Sequence, residues 1–265
     1  MFEFEFMRNA LAAVLLVTPL FGILSTMVVS NRMAFFSDSL GHGAFTGIAI
    51  GSLIGIGSEI FGLLGFSVTF ALLITYIKNK ARSGADTVIG VFSSTAIALG
   101  LLLMTSGGRF NKFSRFLIGD LLSVTREDLI ALAAVAILVA ASWAIFFNRL
   151  LISSVNLTLA KSRGINTRFV ESAFAVLLAV VVALSINKVG ILIINAFLVL
   201  PAAAARNVTN SVRSYHLCSV LTALSSGLIG LIAAYELDAA AGSAIVVCNA
   251  IIYFVTLILK PHFVK

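Results

Sequence analysis

The chain is divided along most of its length into apolar segments of about 20 residues, which short polar connections separate. An α-helix needs about 20 mostly apolar residues to cross about 30 Å of hydrocarbon. Nine segments meet this requirement, at residues 10–29, 34–56, 60–77, 87–105, 129–147, 169–186, 189–205, 215–234 and 243–259. Lipid offers no hydrogen bonds to the backbone, so each segment must satisfy its own. The pattern therefore predicts an all-α, polytopic transmembrane bundle of about 8–9 spanning helices.

The amino-acid composition excludes a water-soluble globular fold. Hydrophobic residues make up 60% of the chain, and charged residues 11%, against about 25% in a typical soluble domain. The apolar segments leave no room for a separate soluble enzyme domain, so we expect one transmembrane domain over residues 1–265. The net charge of +7 comes from basic residues scattered between apolar segments, which argues against a nucleic-acid partner. Cys218 and Cys248 lie within apolar segments and are expected to pack between helices.

The basic residues predict an orientation, because short loops rich in Lys and Arg stay on the cytoplasmic side. With the N-terminus outside and the C-terminus inside, twelve basic residues fall on the inner side and six on the outer side. The inner set is Arg32, Lys78, Lys80, Arg82, Arg149, Lys161, Arg163, Arg168, Arg206, Arg213, Lys260 and Lys265. The sequence thus favours a cytoplasmic C-terminus and localisation as a multi-pass protein of the bacterial inner membrane.

The apolar stretch FLIGDLLSV, at residues 116–124, does not fit this simple alternation. It is too short to cross the bilayer. We expect it to re-enter or to lie in the interface on the outer side. If it crossed instead, every orientation assigned before it would invert.

The second segment carries two ionisable residues, Asp38 and His42. Their spacing of four places both on one helix face, and ionisable groups within a span usually face a partner or a water-filled path. A carboxylate oxygen and an imidazole nitrogen suit zinc, manganese or iron. The alternative is structural, with Asp38 capping the start of the helix and His42 hydrogen-bonded in a packed core.

The same segment contains four glycines at a spacing of four, a pattern that lets another helix backbone approach closely. We predict a helix-packing or gating role for them. They are Gly43, Gly47, Gly51 and Gly55.

Two further features have both a functional and a structural interpretation. Pro201 interrupts the seventh segment, which is typical of binding sites in transporters but also of tolerated kinks. The inner loop at residues 148–171 contains LTLAKS, which favours a short helix, followed by Gly164, which can end that helix in a left-handed cap. Such a helix could dock onto a motor protein or rest on anionic lipid headgroups.

Several catalytic motifs are absent from the sequence. It contains no GxxxxGK[ST] element to cradle a nucleotide, and neither HExxH nor GxSxG. Any active transport must therefore draw energy from a partner protein or from an ion gradient.

Six blocks along the chain carry a resemblance to a known family: RMAFFSDSLGHGAFTGIAIG, ADTVIGVFSSTAIALGLLL, FLIGDLLSVTREDL, LAKSRGI, VGILIINAFLVLPAAAAR and LDAAAGSAIV. In these blocks, which follow the family's order, the chain resembles the membrane permeases of zinc, manganese and iron ABC importers. The resemblance implies a permease homodimer, an ABC ATPase subunit as partner and an extracytoplasmic metal-binding lipoprotein or periplasmic protein.

The resemblance also implies roles for single residues. Asp38 and His42 match an element thought to line the metal path, Ala160 and Gly164 lie in the region that couples to the ATPase, and Pro201 matches the proline of a PAA block. The chain departs from the pattern at three positions: Gly41 stands where many members have Ser, Gly43 where many have Ala, and Asn195 where small residues are common.

We therefore expect the permease subunit of an ATP-driven importer for a divalent transition metal, zinc or manganese ahead of iron. The metal is cargo, no cofactor is expected on this chain, and ATP hydrolysis is expected in the partner. One rival is an ion-coupled secondary metal carrier that needs no ATPase, since it would also show glycine-rich helices and a carboxylate within the membrane. Another is a membrane enzyme acting on lipid, with Asp38 and His42 as an acid–base pair.

Overall fold

The computed structural model describes residues 4–54, 59–106, 119 and 121–263, and the regular structure in these residues is helical. The helices are α1 (Glu5–Ser30), α2 (Ala34–Ile54), α3 (Glu59–Lys78), α4 (Ala85–Ser106), α5 (Arg126–Val155), α6 (Leu157–Ser162), α7 (Thr167–Val189), α8 (Ile191–Val208), α9 (Val212–Glu236) and α10 (Ala241–Phe263). A short 3-10 turn at Leu121–Ser123 precedes α5. Eight of these helices are long and apolar enough to cross a membrane, namely α1, α3, α4, α5, α7, α8, α9 and α10.

Helix α2 lies outside that set of eight, although its 21 residues extend over about 31 Å at 1.5 Å per residue. Its polar and small residues lower its hydropathy, and most of it is buried among α3, α4, α7 and α8. Neighbouring helices, rather than lipid, form the environment of α2. This explains how a helix with two ionisable side chains is accommodated in an apolar bundle.

The helices are grouped around two centres. Helices α8, α9 and α10 pack together with α1, while α2, α3, α4 and α7 form the other group, and α5 packs against both α1 and α7. One continuous core of buried apolar side chains runs through both groups.

One end of the bundle collects four of the predicted inner basic residues around a single cleft. These are Arg32, Lys78, Lys161 and Arg168. Antiparallel packing of α9 on α1, with Ser219 opposite Ser25 at 3.0 Å between hydroxyl oxygens, brings the start of α9 to the same end. The arrangement agrees with the orientation that the sequence predicts.

The opposite end is held by ion pairs between helix termini. Arg126 at the start of α5 lies 3.3 Å from Glu5 of α1, and Lys188 at the end of α7 lies 2.9 Å from Asp128. Thr125 and Asp128 form a reciprocal capping box that fixes where α5 begins. Helix α5 therefore starts at the end of the bundle opposite the cleft.

Helix α4 also ends there, because it starts beside the end of α3 and runs parallel to α2, with Thr46 donating a hydrogen bond to the Ala96 carbonyl. The end of α4 and the start of α5 thus lie at the same end of the bundle. Four residues of the predicted re-entrant stretch, 116–118 and 120, lie outside the described residues. Its remainder forms the 3-10 turn, which packs against α1 and α7.

The end of α5 differs from the sequence expectation, and Pro201 lies inside an unbroken helix. Helix α5 continues through Asn148 and Arg149 to Val155, so the first third of the predicted 148–171 loop is helical. The helix ends only at Asn156, because that side chain caps the next helix instead. Helix α8 runs unbroken through Pro201, which is buried, so the packed helix tolerates the missing backbone donor.

Candidate metal site

The site begins at the turn between α1 and α2. The backbone N–H of Met33 donates to the Val28 carbonyl at 2.8 Å, and Arg32 adopts a left-handed conformation with φ of 56°. This tight turn reverses the chain and starts α2 at Ala34. It brings Asp38 and His42, one and two turns later, onto the same side of the helix.

The glycines of α2 face α3. A Cβ at Gly43 would lie 2.7 Å from the Phe70 ring, a Cβ at Gly47 would lie 3.0 Å from Phe66 Cβ, and Gly51 meets Gly62 of α3 backbone to backbone. These three glycines thus contact α3 closely, and their role in packing or gating stays a prediction, while Gly55 lies outside the described residues. Close packing on α3 presses one face of α2 into the bundle and leaves the face of Asp38 and His42 open.

Asp38 and His42 contact each other on this open face. His42 Nε2 lies 3.6 Å from Asp38 Oδ2, and the side chains are 33% and 52% exposed, respectively. Two ligands about 2.1 Å from a tetrahedral ion stand roughly 3.4 Å apart, so the observed separation suits a shared cation. The structural alternative fits less well, since Asp38 is the fifth residue of α2 rather than its cap and His42 is not in a sealed core.

Asn195 of α8 joins this pair across the bundle. Its Nδ2 donates a hydrogen bond to Asp38 Oδ1 at 2.7 Å. Its Oδ1 is buried and has no hydrogen-bond partner within the part of the chain that the structure describes, although a buried amide oxygen normally has one. Asn195 therefore orients the carboxylate and offers an unused oxygen beside it.

Gly41 makes room for this amide. A Cβ at Gly41 would lie 2.8 Å from Asn195 Oδ1 and 3.0 Å from Ile191 Cγ2, tighter than a serine could occupy without displacement. The two departures from the family pattern at Gly41 and Asn195 are thus neighbours, and one compensates sterically for the other. The sequence analysis identified Gly41 and Asn195 as departures from the family pattern but did not predict that Asn195 belongs to the site. An amide side chain within an otherwise apolar helix could have indicated it.

The resulting donor set is one carboxylate, one imidazole and one amide oxygen. In the described part of the chain, no three His, Cys, Asp or Glu residues cluster as a metal site would require. A set with two strong ligands and one weak one binds a divalent ion loosely. Loose binding suits a site through which an ion passes, since the ion must leave as readily as it enters.

The residues predicted to couple to a motor lie elsewhere, at the basic end. Asn156 accepts hydrogen bonds from the backbone N–H groups of Thr158 and Leu159 and starts α6. Ala160 is buried, and Gly164 ends the helix with φ of 71°, as predicted from the sequence. The N–H of Ile165 donates to the Ala160 carbonyl at 3.0 Å, which completes the cap. Pro201 lies two turns after Asn195 on α8, away from the contacts of the pair.

Comparison with known proteins gives a consistent result. The model of the ABC 3 transport family matches residues 3–260. The manganese import system permease protein ScaB of Streptococcus gordonii is 30% identical over 98% of this chain and 93% of its own. The high-affinity zinc uptake system membrane protein ZnuB of Haemophilus influenzae is 29% identical over 96% of this chain and 97% of its own. Among solved structures, PsaBC from Streptococcus pneumoniae in complex with Fab superposes with a TM-score of 0.84 at 30% identity, covering 96% of this chain and 91% of that one.

Proposed function

The chain belongs to the ABC 3 transport family as its membrane-spanning permease subunit, and we propose that it imports a divalent transition metal, zinc or manganese in preference to iron. It is a multi-pass membrane protein. The observation that carries the proposal is the open face of α2, where Asp38 and His42 contact each other and Asn195 donates a hydrogen bond to the Asp38 carboxylate. The relatives named for manganese and zinc support this class of cargo.

The open face also supports the position of the path. Phe35, Asp38 and His42 form the exposed stripe of a helix whose other sides are packed against neighbours. Ionisable groups are too costly to face lipid, and within membranes they face a partner or a water-filled cavity. A second copy of the chain opposite this stripe would enclose the path, so the arrangement favours a homodimer with the path between its subunits.

The residues would act on the ion in different ways. Asp38 Oδ2 and His42 Nε2 are the two stronger donors, and Asn195 Oδ1 adds a neutral oxygen without adding charge. Asn195 Nδ2 holds the other carboxylate oxygen, which fixes the rotamer of Asp38 while the ion arrives and leaves. The pair thereby replaces part of the hydration shell of the ion for the short time of transit.

The energy would come from an ABC ATPase partner, because this sequence has no nucleotide-cradling motif. Leu157 and Leu159 of α6 are exposed at the basic end, 59% and 43% respectively, beside the cationic Lys161. Exposed apolar side chains on a short capped helix suit docking to a protein partner. An extracytoplasmic metal-binding protein would deliver the ion at the opposite end.

The metal path is tested by uptake of zinc, manganese and iron in competition, using the complex reconstituted with its ATPase and binding protein. We expect Asp38→Ala and His42→Ala each to reduce uptake by at least about 100-fold, because each leaves one strong donor. Asp86→Ala is the matched control, since it removes an exposed carboxylate from the first turn of α4. Normal uptake by both site variants at normal expression would overturn the proposed path.

The coupling role is tested at Gly164, which has a positive φ and open space where a Cβ would lie. A Cβ there meets no atom, so the cost of Gly164→Ala is conformational, about 1–2 kcal/mol. We expect Gly164→Ala to lower uptake per ATP hydrolysed severalfold, and Gly164→Asn, which tolerates this conformation better, to lower it less. Equal transport stoichiometry in both variants and the wild type would exclude a coupling role for this cap.

The family does not favour the secondary carrier considered from the sequence. A direct distinction is ATP dependence: the proposed importer loses uptake when the ATPase is omitted. Uptake by this chain alone, driven by a proton or sodium gradient, would support the carrier instead.

A further inference from the structure

A lysine and a glutamate form an ion pair between α3 and α7 at the basic end of the bundle. Lys78 is the last residue of α3, and Glu171 lies in the second turn of α7. Their side chains are 21% and 27% exposed, so each is largely shielded from water. Neither residue belongs to the metal pair or to the caps of α6. The ion pair is therefore separate from both features used in the proposed function.

Helix α7 is joined to α6 by a short connection that is fixed at both ends. The α6 side is closed by the Gly164 cap, in which the N–H of Ile165 bonds back to α6. On the α7 side, Asn166 Oδ1 accepts a hydrogen bond from the backbone N–H of Phe169 at 3.1 Å. With both caps in place, a displacement of α6 is passed to the first turns of α7, where Glu171 lies.

Helix α3 is in turn packed tightly onto the helix that carries the metal pair. A Cβ at Gly62 would lie 2.6 Å from Gly51 Cα, and a Cβ at Gly43 would lie 2.7 Å from the Phe70 ring. Such contacts leave little slack between α3 and α2, because a close-packed interior transmits strain. A shift of Lys78 along the axis of α3 is therefore expected to shift α2.

The ion pair adds direction to the contact between α3 and α7. These helices pack together, and Ile74, Val170 and Phe174 are buried within one turn of the pair. Apolar contacts are non-directional, and packed helices can slide past one another by small amounts. A charge-assisted hydrogen bond has a preferred geometry. The Lys78–Glu171 pair therefore opposes sliding of α7 along α3 at this end.

We propose that Lys78 and Glu171 are positioning residues that transmit the movement of α6 through α7 and α3 to the metal pair on α2. This role rests on the proposed docking of an ATPase at α6, and it adds the route from that helix to the ion path. A purely structural ion pair would stabilise the bundle without linking ATP hydrolysis to uptake. The two roles can be separated because replacing an ion pair by two apolar side chains is often neutral for stability.

The test measures metal uptake and ATP hydrolysis in the same proteoliposomes, which contain the complex with its ATPase and binding protein and receive manganese or zinc. Lys78→Met with Glu171→Met replaces the pair by two apolar side chains of similar length. We expect this double variant to keep the wild-type unfolding temperature and rate of ATP hydrolysis. Its uptake per ATP should fall about tenfold, as expected for positions between coupled sites. Lys78→Arg keeps the charge and should stay within about twofold of the wild type.

Lys188→Met is the matched control for Lys78→Met. It removes the lysine of the ion pair between α7 and α5 at the opposite end, where the lysine side chain is 35% exposed. Each single variant leaves a carboxylate without its lysine, so thermal unfolding should show a loss of stability in both. Uptake per ATP should fall in Lys78→Met but stay within about twofold of the wild type in Lys188→Met.

Two results would overturn the proposal. They are wild-type uptake per ATP in the folded double methionine variant, and an equal fall in the two single lysine variants. If the double variant does not fold, the comparison of the single variants decides.

Gly164→Ala, measured in the same assay, distinguishes this proposal from the coupling role of the α6 cap. A lowered ratio in Gly164→Ala with a wild-type ratio in the double methionine variant would overturn only the route through Lys78 and Glu171. The reverse result would support the route and exclude only the cap. Uptake without the ATPase would overturn the importer, and the route with it.

Discussion

Helices α2 and α9 are both packed through glycines, yet they differ in how their polar side chains are used. A Cβ at Gly62, opposite Gly51 of α2, would lie 2.6 Å from that glycine's Cα, and a Cβ at Gly230 of α9 would lie 2.4 Å from the Cα of Ile245. Backbones meet backbones in both places. The glycines therefore report close helix packing in both regions and do not by themselves mark a site.

The difference between Ser219 of α9 and the Asp38–His42 pair of α2 lies in hydrogen bonding and exposure. Ser219 of α9 is fully buried, donates to the Gly22 carbonyl at 2.7 Å and contacts Ser25. On α2, Asp38 and His42 are partly exposed, while the nearby Asn195 oxygen is buried and has no partner among the described residues. The Ser219 hydroxyl is satisfied within the core and stabilises the fold, whereas the Asp38 and His42 side chains on the open face are available to a ligand.

The largest effect should come from disrupting the close backbone contacts at glycines, which both regions share. Gly62→Ala and Gly230→Ala each force a Cβ against backbone, which cannot move aside as a side chain can, and we expect a loss of about 1–3 kcal/mol for each. Gly65→Ala, on the same helix as Gly62, meets open space and should be neutral or gain up to about 1 kcal/mol. Thermal unfolding in detergent measures all three. A similar loss in Gly65→Ala would show that glycine packing is not the cause.

The second prediction tests the region of α2 that has no counterpart in α9. Gly41→Ser should displace the Asn195 amide and lower metal uptake about tenfold, equivalent to about 1.4 kcal/mol. Asn195→Ala should lower uptake by a similar factor because it removes the amide itself. Since both changes act through one group, Gly41→Ser in the Asn195→Ala background should add less than about twofold. Multiplicative losses in the double variant would separate the two residues.

The smallest effect is expected at Ser219. Ser219→Ala removes a buried hydroxyl that hydrogen-bonds the Gly22 carbonyl and Ser25, and it should cost about 1 kcal/mol in stability. Uptake should remain at the wild-type level, because this hydroxyl faces no path. A loss of transport comparable to that of Asp38→Ala, with the protein still folded, would remove the distinction between the two helices.

Much of the fold was accessible from the sequence because lipid imposes one requirement on every segment. Most spanning helices had to be about 20 residues long and apolar, so hydropathy predicted their order, whereas α2 is less apolar because of its polar and small residues. Their ends were harder to locate: α5 passes Asn148 and Arg149 and stops only where Asn156 begins a new helix. Hydropathy predicts where a segment leaves the hydrocarbon, whereas capping side chains determine where the helix itself ends. The cap at Gly164 was predictable because glycine is the residue that most easily adopts positive φ.

The sequence by itself determined an all-helical membrane bundle and a helix in which Asp38 and His42 share one face, and it predicted that the basic loops gather on the cytoplasmic side. Local spacing is enough for those conclusions, because i and i+4 are neighbours on any α-helix. Only the tertiary structure decided that Asn195, 157 residues from Asp38, completes that face, and that Gly41 leaves the space it occupies. It likewise decided that cations from α1–α2, α6 and α7 converge on one cleft. Contacts between distant segments depend on how helices cross, and crossing is set by packing that no single segment encodes.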